Sequence, residues 1–418
     1  AIPQLEAALA LFRADGDKVN ESYVLYALSR SRSDAGKIEE AQTYAQQALE
    51  LSNEIDDQRG QGLALNALAL TYLQTGKLTE ARDYLERAKQ IDEALGNRRG
   101  VGFSTLYLGV SYFLAGALQQ GIPYVQDASE IARNIGDRRL LAVTQLNLNT
   151  TMHHIGKIDE AFVIGKEAHD IFTDVGDKKQ GTIILINLTQ DALALGEFQS
   201  ALRYARQAYH ASQDNQMTFF EAWSLCDRAK ISMMLANPAQ GVSYMDDAQT
   251  ILDQTPIPPV LRYYHGLRAW LHLEADETDD ALTAARAGLA HQGDNEAHLA
   301  PLMETIALLR LGQADEARTS AEQTLATCQH MHDAAPEKYI GQYALAFAHV
   351  LGLLTAPPAD IMTRLNDAQT AYETAITTCA TSGVLQVNLK YFDLVEAVDT
   401  NGLVAQIKAL LEQALWSQ

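Results

Sequence analysis

A glycine recurs every forty residues through the first half of the chain, and no other feature constrains the fold as strongly. The series runs without slippage through Gly36, Gly76, Gly116, Gly156 and Gly196. A small residue stands five positions after each of them, as Ala41, Ala81, Gly121, Ala161 and Ala201. A fixed period of about 20–50 residues is typical of repeat arrays, in which each unit stacks only on its neighbours.

A second series of residues recurs once in each of the same units, at Asp17, Asp57, Asn97, Asp137 and Asp177. Each of these residues precedes an apolar pattern of helical period, where a side-chain oxygen can accept hydrogen bonds from the free N–H groups of a helix start. Glycine, which readily takes the positive φ of a helix C-terminus, marks the other break. Each unit is therefore predicted to contain two helices of about 15–17 residues.

The apolar residues of the second unit form one stripe on each of its helices. The first stripe is Leu65, Leu68, Ala69 and Tyr72, and the second is Leu78, Ala81, Leu85 and Ala88. A single hairpin cannot bury both stripes, so neighbouring hairpins must stack to complete the core. The sequence predicts an all-α solenoid of about ten helical hairpins, preceded by a helix over residues 2–13.

The regularity of the repeats divides the chain into three predicted regions. Residues 1–216 form the regular array, and residues 217–335 form a degenerate array continuous with it, in which Asn237-Pro238 replaces the glycine. Residues 336–418 are predicted to form irregular C-terminal helical hairpins or a cap, because Pro357-Pro358 interrupts the helices.

The composition excludes several classes of protein. The formal net charge is −21, so a nucleic-acid-binding surface, which needs a basic face, is not expected. No apolar run reaches the roughly 18–20 residues that a membrane-spanning helix needs. The three cysteines lie far apart, which favours a reducing, cytoplasmic location over a disulfide scaffold. The chain begins with Ala and not with Met, which predicts a piece of a longer protein.

Motifs that carry catalytic chemistry are incomplete in this sequence. The Gly-Lys pairs that begin at Gly36, Gly76 and Gly156 lack the Ser or Thr with which a phosphate-binding loop holds magnesium. Cys328 and His332 could share a helical face, but further metal ligands are not found nearby, and both are predicted to be surface residues. We therefore expect no enzymatic activity, no cofactor and no metal.

The residues of these units resemble the tetratricopeptide repeats. The second unit matches that consensus from Leu65 to Ala88, and the third repeats it with Leu108-Gly109, Tyr112 and Gly116. The usual period of about 34 residues is lengthened here to forty, as in versions with longer helices. The resemblance implies a right-handed superhelix in which the first helix of each hairpin lines a concave groove.

The groove implied by this resemblance supplies the candidate residues for binding a ligand or partner. They are Tyr23, Tyr26, Arg30, Asn66, Phe103, Tyr107, Phe113, Asn147, His153, Asn187, Gln190, Trp223, Asp227, Lys230, Tyr263 and Trp270. Aromatic side chains supply apolar area for affinity, and the interleaved amides and single charges orient a ligand. An alternative stays open, above all for Phe103–Phe113: the long helices wind tightly, and the aromatics fill the interior of the superhelix.

Basic residues recur at the turns with the same spacing. Arg98-Arg99, Arg138-Arg139 and Lys178-Lys179 follow the capping residue, with Arg59 in line. Stacked repeats would align these cations along one edge of the solenoid, as a contact strip for an acidic partner. The alternative, which we favour, is a solvated ladder of charges paired with the capping Asp residues, since surface pairs of this type are common and contribute little.

The chain is most similar, within this family, to the C-terminal sensor region of bacterial STAND-type signal-transduction ATPases, including maltose-regulator-like transcription activators. The resemblance implies a non-catalytic sensor that binds a protein, peptide or small-molecule inducer in its groove and controls an N-terminal effector module. Neither nucleic acid nor membrane is expected to bind this chain. Two alternatives remain open: a free-standing scaffold or adaptor, and a peptide-pheromone receptor.

Overall fold

The computed structural model describes residues 2–292 and 297–417, which form twenty-one α-helices and one short 3₁₀ helix. The predicted all-α solenoid is confirmed. The chain divides into two compact units, Ala1–Thr151 and Met152–Gln418. The changes in regularity predicted near residues 216 and 335 do not coincide with that division, and they stay a prediction.

The first unit is a row of stacked helical hairpins behind one leading helix. Its helices are α1 (Ile2–Asp15), α2 (Lys18–Asp34), α3 (Ile38–Glu54), α4 (Gln58–Gln74), α5 (Leu78–Ala94), α6 (Arg98–Leu114), α7 (Leu118–Ile135) and α8 (Arg138–His154), the last of which ends within the second unit. Each helix from α1 to α6 packs on the next, and the first helices of successive hairpins also pack on one another, α2 on α4 and α4 on α6.

The second unit continues the same alternation of helices. Its helices are α9 (Ile158–Val175), α10 (Lys178–Leu195), α11 (Phe198–Asp214), α12 (Thr218–Met234), α13 (Pro238–Gln254), α14 (Pro258–Glu274), α15 (Thr278–Leu289), α16 (Leu299–Arg310), α17 (Ala314–Ala334), α18 (Tyr339–Leu354), α19 (Ile361–Thr378), α20 (Ser382–Val395) and α21 (Ala405–Trp416), with the 3₁₀ helix at Glu396–Val398. Helices α15 and α16 have 12 residues each, against 17 in α14, which moves the following turn glycine off the forty-residue lattice.

The helix starts and ends predicted from the sequence are confirmed. Side-chain oxygens of Asp17, Asn97, Asp137 and Asp177 accept backbone N–H groups at 2.9–3.3 Å. Asp57 stands at the same position without that bond. The repeating glycines adopt positive φ, from +73° at Gly36 to +81° at Gly196, the region that glycine enters without steric cost.

Four turns adopt the same left-handed conformation without a glycine. Asp56 and Gln216, in the regular array, and Ala236 and Asp276, in the degenerate one, all have φ between +54° and +62°. A Cβ in this left-handed region crowds the backbone. The fold therefore tolerates strained turns in both arrays.

Replacing Ala236 with glycine is expected to stabilise the second unit by about 1 kcal/mol. The substitution removes the Cβ that makes a φ of +55° unfavourable, and Ala236 is exposed, so little packing is lost. Urea unfolding followed by tryptophan fluorescence would measure the gain. Gly312, which has the same turn conformation at φ +69°, is the matched control, because Gly312→Ala should destabilise by a similar amount.

Helix α20 returns to pack against the first helices of several earlier hairpins in the second unit. The Tyr391 ring lies 4.9 Å from Trp270 on α14 and 5.3 Å from Phe347 on α18. Arg310, at the end of α16, donates from Nε to the carbonyl oxygen of Leu394 at 2.9 Å. At its other end, Gly383 approaches α10 so closely that an added Cβ would overlap the carbonyl oxygen of Leu193. The C-terminal segment thus covers a surface that the repeat pattern alone would leave open.

Candidate functional site

The surface of α2, α4, α6 and the start of α8 that faces away from their hairpin partners is here named the first-helix face of the first unit. Residues forty apart lie in rows across it, because successive repeats stack in register. One row holds Arg59, Arg99 and Arg139, the next holds Tyr23, Leu63, Phe103 and Val143, and a third holds Arg30, Leu70, Val110 and Thr150. All of these side chains are exposed or half-buried, so the face presents aromatic and cationic groups to solvent.

Tyr107 lies at the centre of this face. Burial raises the pKa of Tyr107, and the nearby positive charges of Arg30 and Arg139 oppose that rise. Arg30 Nη1 donates to Tyr26 Oη at 3.4 Å. Three predicted residues, Tyr26, Arg30 and Tyr107, therefore lie near one another, with Arg30 in contact with Tyr26.

Phe103 extends this cluster toward the row of arginines. Its ring stacks on Tyr107 with centroids 6.3 Å apart, and the Arg99 guanidinium carbon lies 5.6 Å from its centroid. Arg99 Nε also donates to Asp137 Oδ2 at 2.7 Å. In this cluster both the aromatic rings and the arginine remain partly accessible. Aromatic and arginine side chains are enriched among the residues that contribute most of the binding energy in protein interfaces.

Three other predicted residues of this unit make contacts within the fold. Burial, together with the nearby negative charge of Asp57, raises the pKa of Tyr23. Asn66 Oδ1 accepts from Ser104 Oγ at 3.0 Å, which ties α4 to α6. Asn147 Nδ2 donates to the carbonyl oxygen of Val143 in its own helix at 2.8 Å. Each remains half-buried, so its amide or phenol edge borders the face.

Phe113 packs within its own hairpin, and a ligand-binding role for it stays a prediction. An added Cβ on Gly121 would lie 2.6 Å from Phe113 Cδ1, so the ring packs across the seam between α6 and α7. The glycine at 121 replaces the alanine of the other repeats, and the space it leaves accommodates this ring. Phe113 is therefore a packing residue of its hairpin.

In the second unit, five of the predicted groove residues are buried. Trp270 and Asp227 are 0% exposed, Tyr263 is 1%, Lys230 is 7% and Trp223 is 8%. Trp223 stacks on Tyr263 at 4.8 Å, and Tyr263 Oη donates to Asp227 Oδ1 at 3.2 Å. These five side chains are core residues of this structure and not open groove surface, and a ligand-binding role for them stays a prediction.

His153 takes part in a buried chain of hydrogen bonds. Its Nδ1 lies 2.7 Å from Asp191 Oδ1, and its Nε2 lies 3.2 Å from Tyr339 Oη. Asp191 is fully buried. The imidazole therefore joins the end of α8, α10 and the start of α18. Burial, together with the nearby charges of His153 and Lys338, lowers the pKa of His154 to about 3, which keeps His154 neutral at pH 7.

The last two predicted residues lie on α10. Asn187 and Gln190 are both half-buried, and Gln190 lines a cavity together with Lys230 of α12. The sequence pattern could not have identified the other polar residues of that cavity. His298, Tyr339, Asn388 and Tyr391 come from the irregular part of the chain, where no repeat register predicts which side chains meet.

The basic residues at the turns pair in part with the capping acids, as the favoured interpretation predicted. The Arg99–Asp137 contact is one such pair. Arg98, Arg138, Lys178 and Lys179 are exposed. The first turns of α4 and α6 contain no acidic residue, whereas those of α3 and α5 do. Cations near a helix N-terminus interact unfavourably with the helix dipole. Helix stability therefore does not explain why the first turns of α4 and α6 carry no acidic residue.

Two clusters were considered as metal ligands. Cys328 is completely buried, and burial raises the pKa of its thiol to about 12, so the prediction that it is a surface residue is wrong. His272, Glu277 and Asp280 place one potential ligand atom each within 4.8 Å of one another. Glu277 and Asp280 are exposed, and His272 Nδ1 already lies 2.7 Å from Glu277 Oε2. The geometry of this second cluster is that of a surface ion pair.

Comparison with known proteins supports the repeat assignment. Residues 31–94 match the family model of the tetratricopeptide repeat. No curated protein sequence matches the chain. Residues 31–94 therefore match the tetratricopeptide repeat within an all-α solenoid.

Several solved structures share the fold at low sequence identity. A Rap protein complexed with competence and sporulation factor has 11% identity and a TM-score of 0.53, covering 95% of this chain and 99% of that chain. The apo form of RapI has 12% identity and a TM-score of 0.51, covering 65% and 97%. A STAND protein with a tetratricopeptide-repeat sensor from Pyrococcus horikoshii has 15% identity and a TM-score of 0.50, covering 92% of this chain but 51% of that protein. The chain is thus similar in fold to a repeat sensor of a STAND protein.

Within the described residues, no helix combines the length and the hydrophobicity required to cross a lipid bilayer.

Proposed function

We propose that this chain is a non-catalytic binding region whose first-helix face in the first unit holds a protein or peptide segment. The observation that carries the proposal is the cluster of Tyr26, Arg30, Phe103 and Tyr107, which lies on α2 and α6 and remains partly accessible. Solenoids use such extended faces as binding surfaces. Tyrosine and arginine are the residues most enriched at the energetic centres of interfaces.

The same proposal includes a sensor role within a larger signalling protein. The partner would act on an N-terminal effector module by preferring one conformation of the repeats, because only a difference in affinity between two conformations shifts their populations. The similarity in fold to the sensor-bearing STAND protein supports this role. The proposal also includes a location in the cytoplasm and, as an alternative ligand, a small-molecule inducer.

A receptor for a peptide or protein factor is the second candidate. A Rap protein in complex with competence and sporulation factor aligns with 95% of this chain. Such a receptor would bind its factor on the same face, so the two candidates differ in the parent protein and not in the site.

Alanine at both Phe103 and Tyr107 is expected to weaken peptide binding about 10- to 100-fold, because truncating central aromatic residues usually removes most of the binding energy. Peptides would be selected from a displayed random library on the purified chain, and their affinities would be measured by fluorescence polarisation. Arg30→Ala should produce a smaller loss, by removing the cation that bonds Tyr26 and lies near Tyr107.

Tyr84→Ala provides a matched control. Tyr84 is a half-buried tyrosine of the same unit, but it lies on the second helix α5 and packs on Tyr72 at 5.3 Å. This variant should bind the selected peptides as the wild type does. If the Phe103/Tyr107 variant remained folded and bound every selected peptide with unchanged affinity, the proposed face would be the wrong one.

A further inference from the structure

Helix α1 stands where the repeat pattern places the second helix of a hairpin. The turn after it has Gly16 at φ +68° and the capping residue Asp17, as the turn after the second helix α5 has Gly96 at +66° and the capping residue Asn97. Helix α5 packs on two first helices, α4 of its own hairpin and α6 of the next. Among the described helices, the one that packs extensively on α1 is α2, which follows it. The other side of α1 corresponds to the contact of α5 with α4.

Apolar side chains on that side of α1 are more exposed than their equivalents in a later hairpin. Leu5 occupies the repeat position of Leu85, which is 0% exposed, yet Leu5 is half-buried. Leu11 occupies the repeat position of Ile91, and it is 66% exposed whereas Ile91 is half-buried. Ala8 lies between the two leucines on the helix surface and is half-buried. The surface formed by Leu5, Ala8 and Leu11 is here named the α1 face.

The α1 face corresponds to the side on which a later second helix contacts the first helix of its own hairpin. A Cβ added to Gly62 of α4 would lie 3.6 Å from Cγ2 of Ile91 on α5. Leu85 of α5 packs with Ala69 of α4. The residues of α1 at the equivalent positions are the two exposed or half-buried leucines. The α1 face is therefore one half of a hairpin interface, left accessible by the described residues.

The first helices of this unit share a pattern that shows what fits such an interface. Each has a small residue and, seven positions later, a second small residue that a leucine precedes. Residues seven apart lie on the same face of a helix, and small side chains there let a second helix approach closely. All of these residues are buried, and they are Ser22 and Leu28-Ser29 in α2, Gly62 and Leu68-Ala69 in α4, and Gly102 and Leu108-Gly109 in α6.

We propose that the α1 face binds an amphipathic α-helix of a partner protein, and that this helix has the pattern of a first helix. Its first small residue would lie against Leu11 and its second against Leu5, as the equivalent residues do between α4 and α5. A second copy of this chain does not offer such a helix, because its α1 lacks the pattern and its α2, α4 and α6 already pack on the second helices of their own hairpins. The α1 face belongs to a second helix, so it is separate from the first-helix face proposed to bind peptides.

The test is a fluorescence-polarisation titration of the whole chain with a labelled peptide of the α2 sequence, Lys18–Asp34, which has more charged residues than α4 or α6. A lactam bridge between exposed residues keeps the peptide helical, because isolated helices of this length are marginal in water. We expect saturable binding. The same peptide with Ser29→Phe should bind at least about tenfold more weakly, because a large ring overpacks a close helix contact. A peptide of the second helix α3, Ile38–Glu54, should not bind.

Leu11→Asp in the whole chain locates the binding. Leu11 is exposed, so the fold tolerates the change, but an unpaired carboxylate in the apolar contact should weaken peptide binding at least about tenfold. Leu114→Asp is the matched control, because Leu114 is an exposed leucine at the end of α6, 57% accessible, and this variant should bind as the wild type does. Unchanged affinity of Leu11→Asp, or no saturable binding of the α2 peptide, would overturn the proposal. A dimer of the wild type in sedimentation velocity that Leu11→Asp abolishes would also overturn it, because a second copy would then cover the α1 face.

Discussion

Alanine at Gly383 is expected to detach helix α20 from the rest of the second unit. The new methyl group would overlap the carbonyl oxygen of Leu193 and lie 2.6 Å from the backbone nitrogen of Gly196. Backbone atoms of two helix ends cannot move aside as a flexible side chain can. We expect a loss of about 3 kcal/mol or more in the free energy of unfolding of this unit, with Trp270 and Tyr391 exposed where α20 leaves.

Hydrogen exchange of residues 382–395 would measure this release directly, together with a red shift of tryptophan emission. Gly352→Ala is the matched control, because Gly352 lies inside α18 and a Cβ there meets nothing within 4 Å. That variant should be neutral or slightly more stable, since alanine favours a helix interior. Normal protection of α20 in Gly383→Ala would mean that the close approach to α10 is not required for docking.

Alanine at Gly121 is expected to destabilise the first unit by about 1–3 kcal/mol, the usual cost of overpacking a close contact. The added Cβ would lie 2.6 Å from the carbonyl oxygen of Gly109 and 2.6 Å from Phe113 Cδ1. Alanine occupies the equivalent position in the other regular repeats, but only in this hairpin do glycines at both 109 and 121 let the backbones of α6 and α7 approach so closely. Far-UV circular dichroism during urea unfolding, with hydrogen exchange in α6 and α7, would measure the loss.

Gly62→Ala serves as the comparison in the same unit. A Cβ at Gly62 would meet its nearest atom, Asp92 Oδ1, at 3.5 Å, an ordinary contact. The variant should gain up to about 1 kcal/mol from the reduced freedom of the unfolded chain. Equal stability changes in the two variants would show that the Gly109–Gly121 approach carries no special packing requirement.

The local structure of the repeats was predictable from the sequence because its determinants are local. Capping residues such as Asp17 and turn glycines such as Gly36 act within a few positions of themselves, and they mark the same breaks in the structure. The forty-residue spacing also predicted which residues share a row, and Arg30 and Tyr107 were both predicted to lie on the first helices. That the two lie close together was not predicted.

Phe113 marks the limit of that approach. The consensus places its position on the first helix but does not say which way a large ring turns when the opposite residue is glycine. Cys328 is a similar case, because the segment around it has lost the pattern from which burial could be inferred. At both positions the immediate neighbours decide, and they belong to other helices.

What the sequence determined by itself was therefore the class of fold, the helix boundaries of the regular repeats and the surface rows of the first unit. Only the tertiary structure decided that the corresponding face of the second unit is covered. Gly383 meets Leu193 and Tyr391 meets Trp270 across more than a hundred residues of chain. Such contacts depend on the small rotation between each hairpin and the next, added over all the hairpins between the two residues. No single repeat determines that total. For the same reason Lys230 and Gln190 were predictable as first-helix residues, whereas the cavity that they line was not.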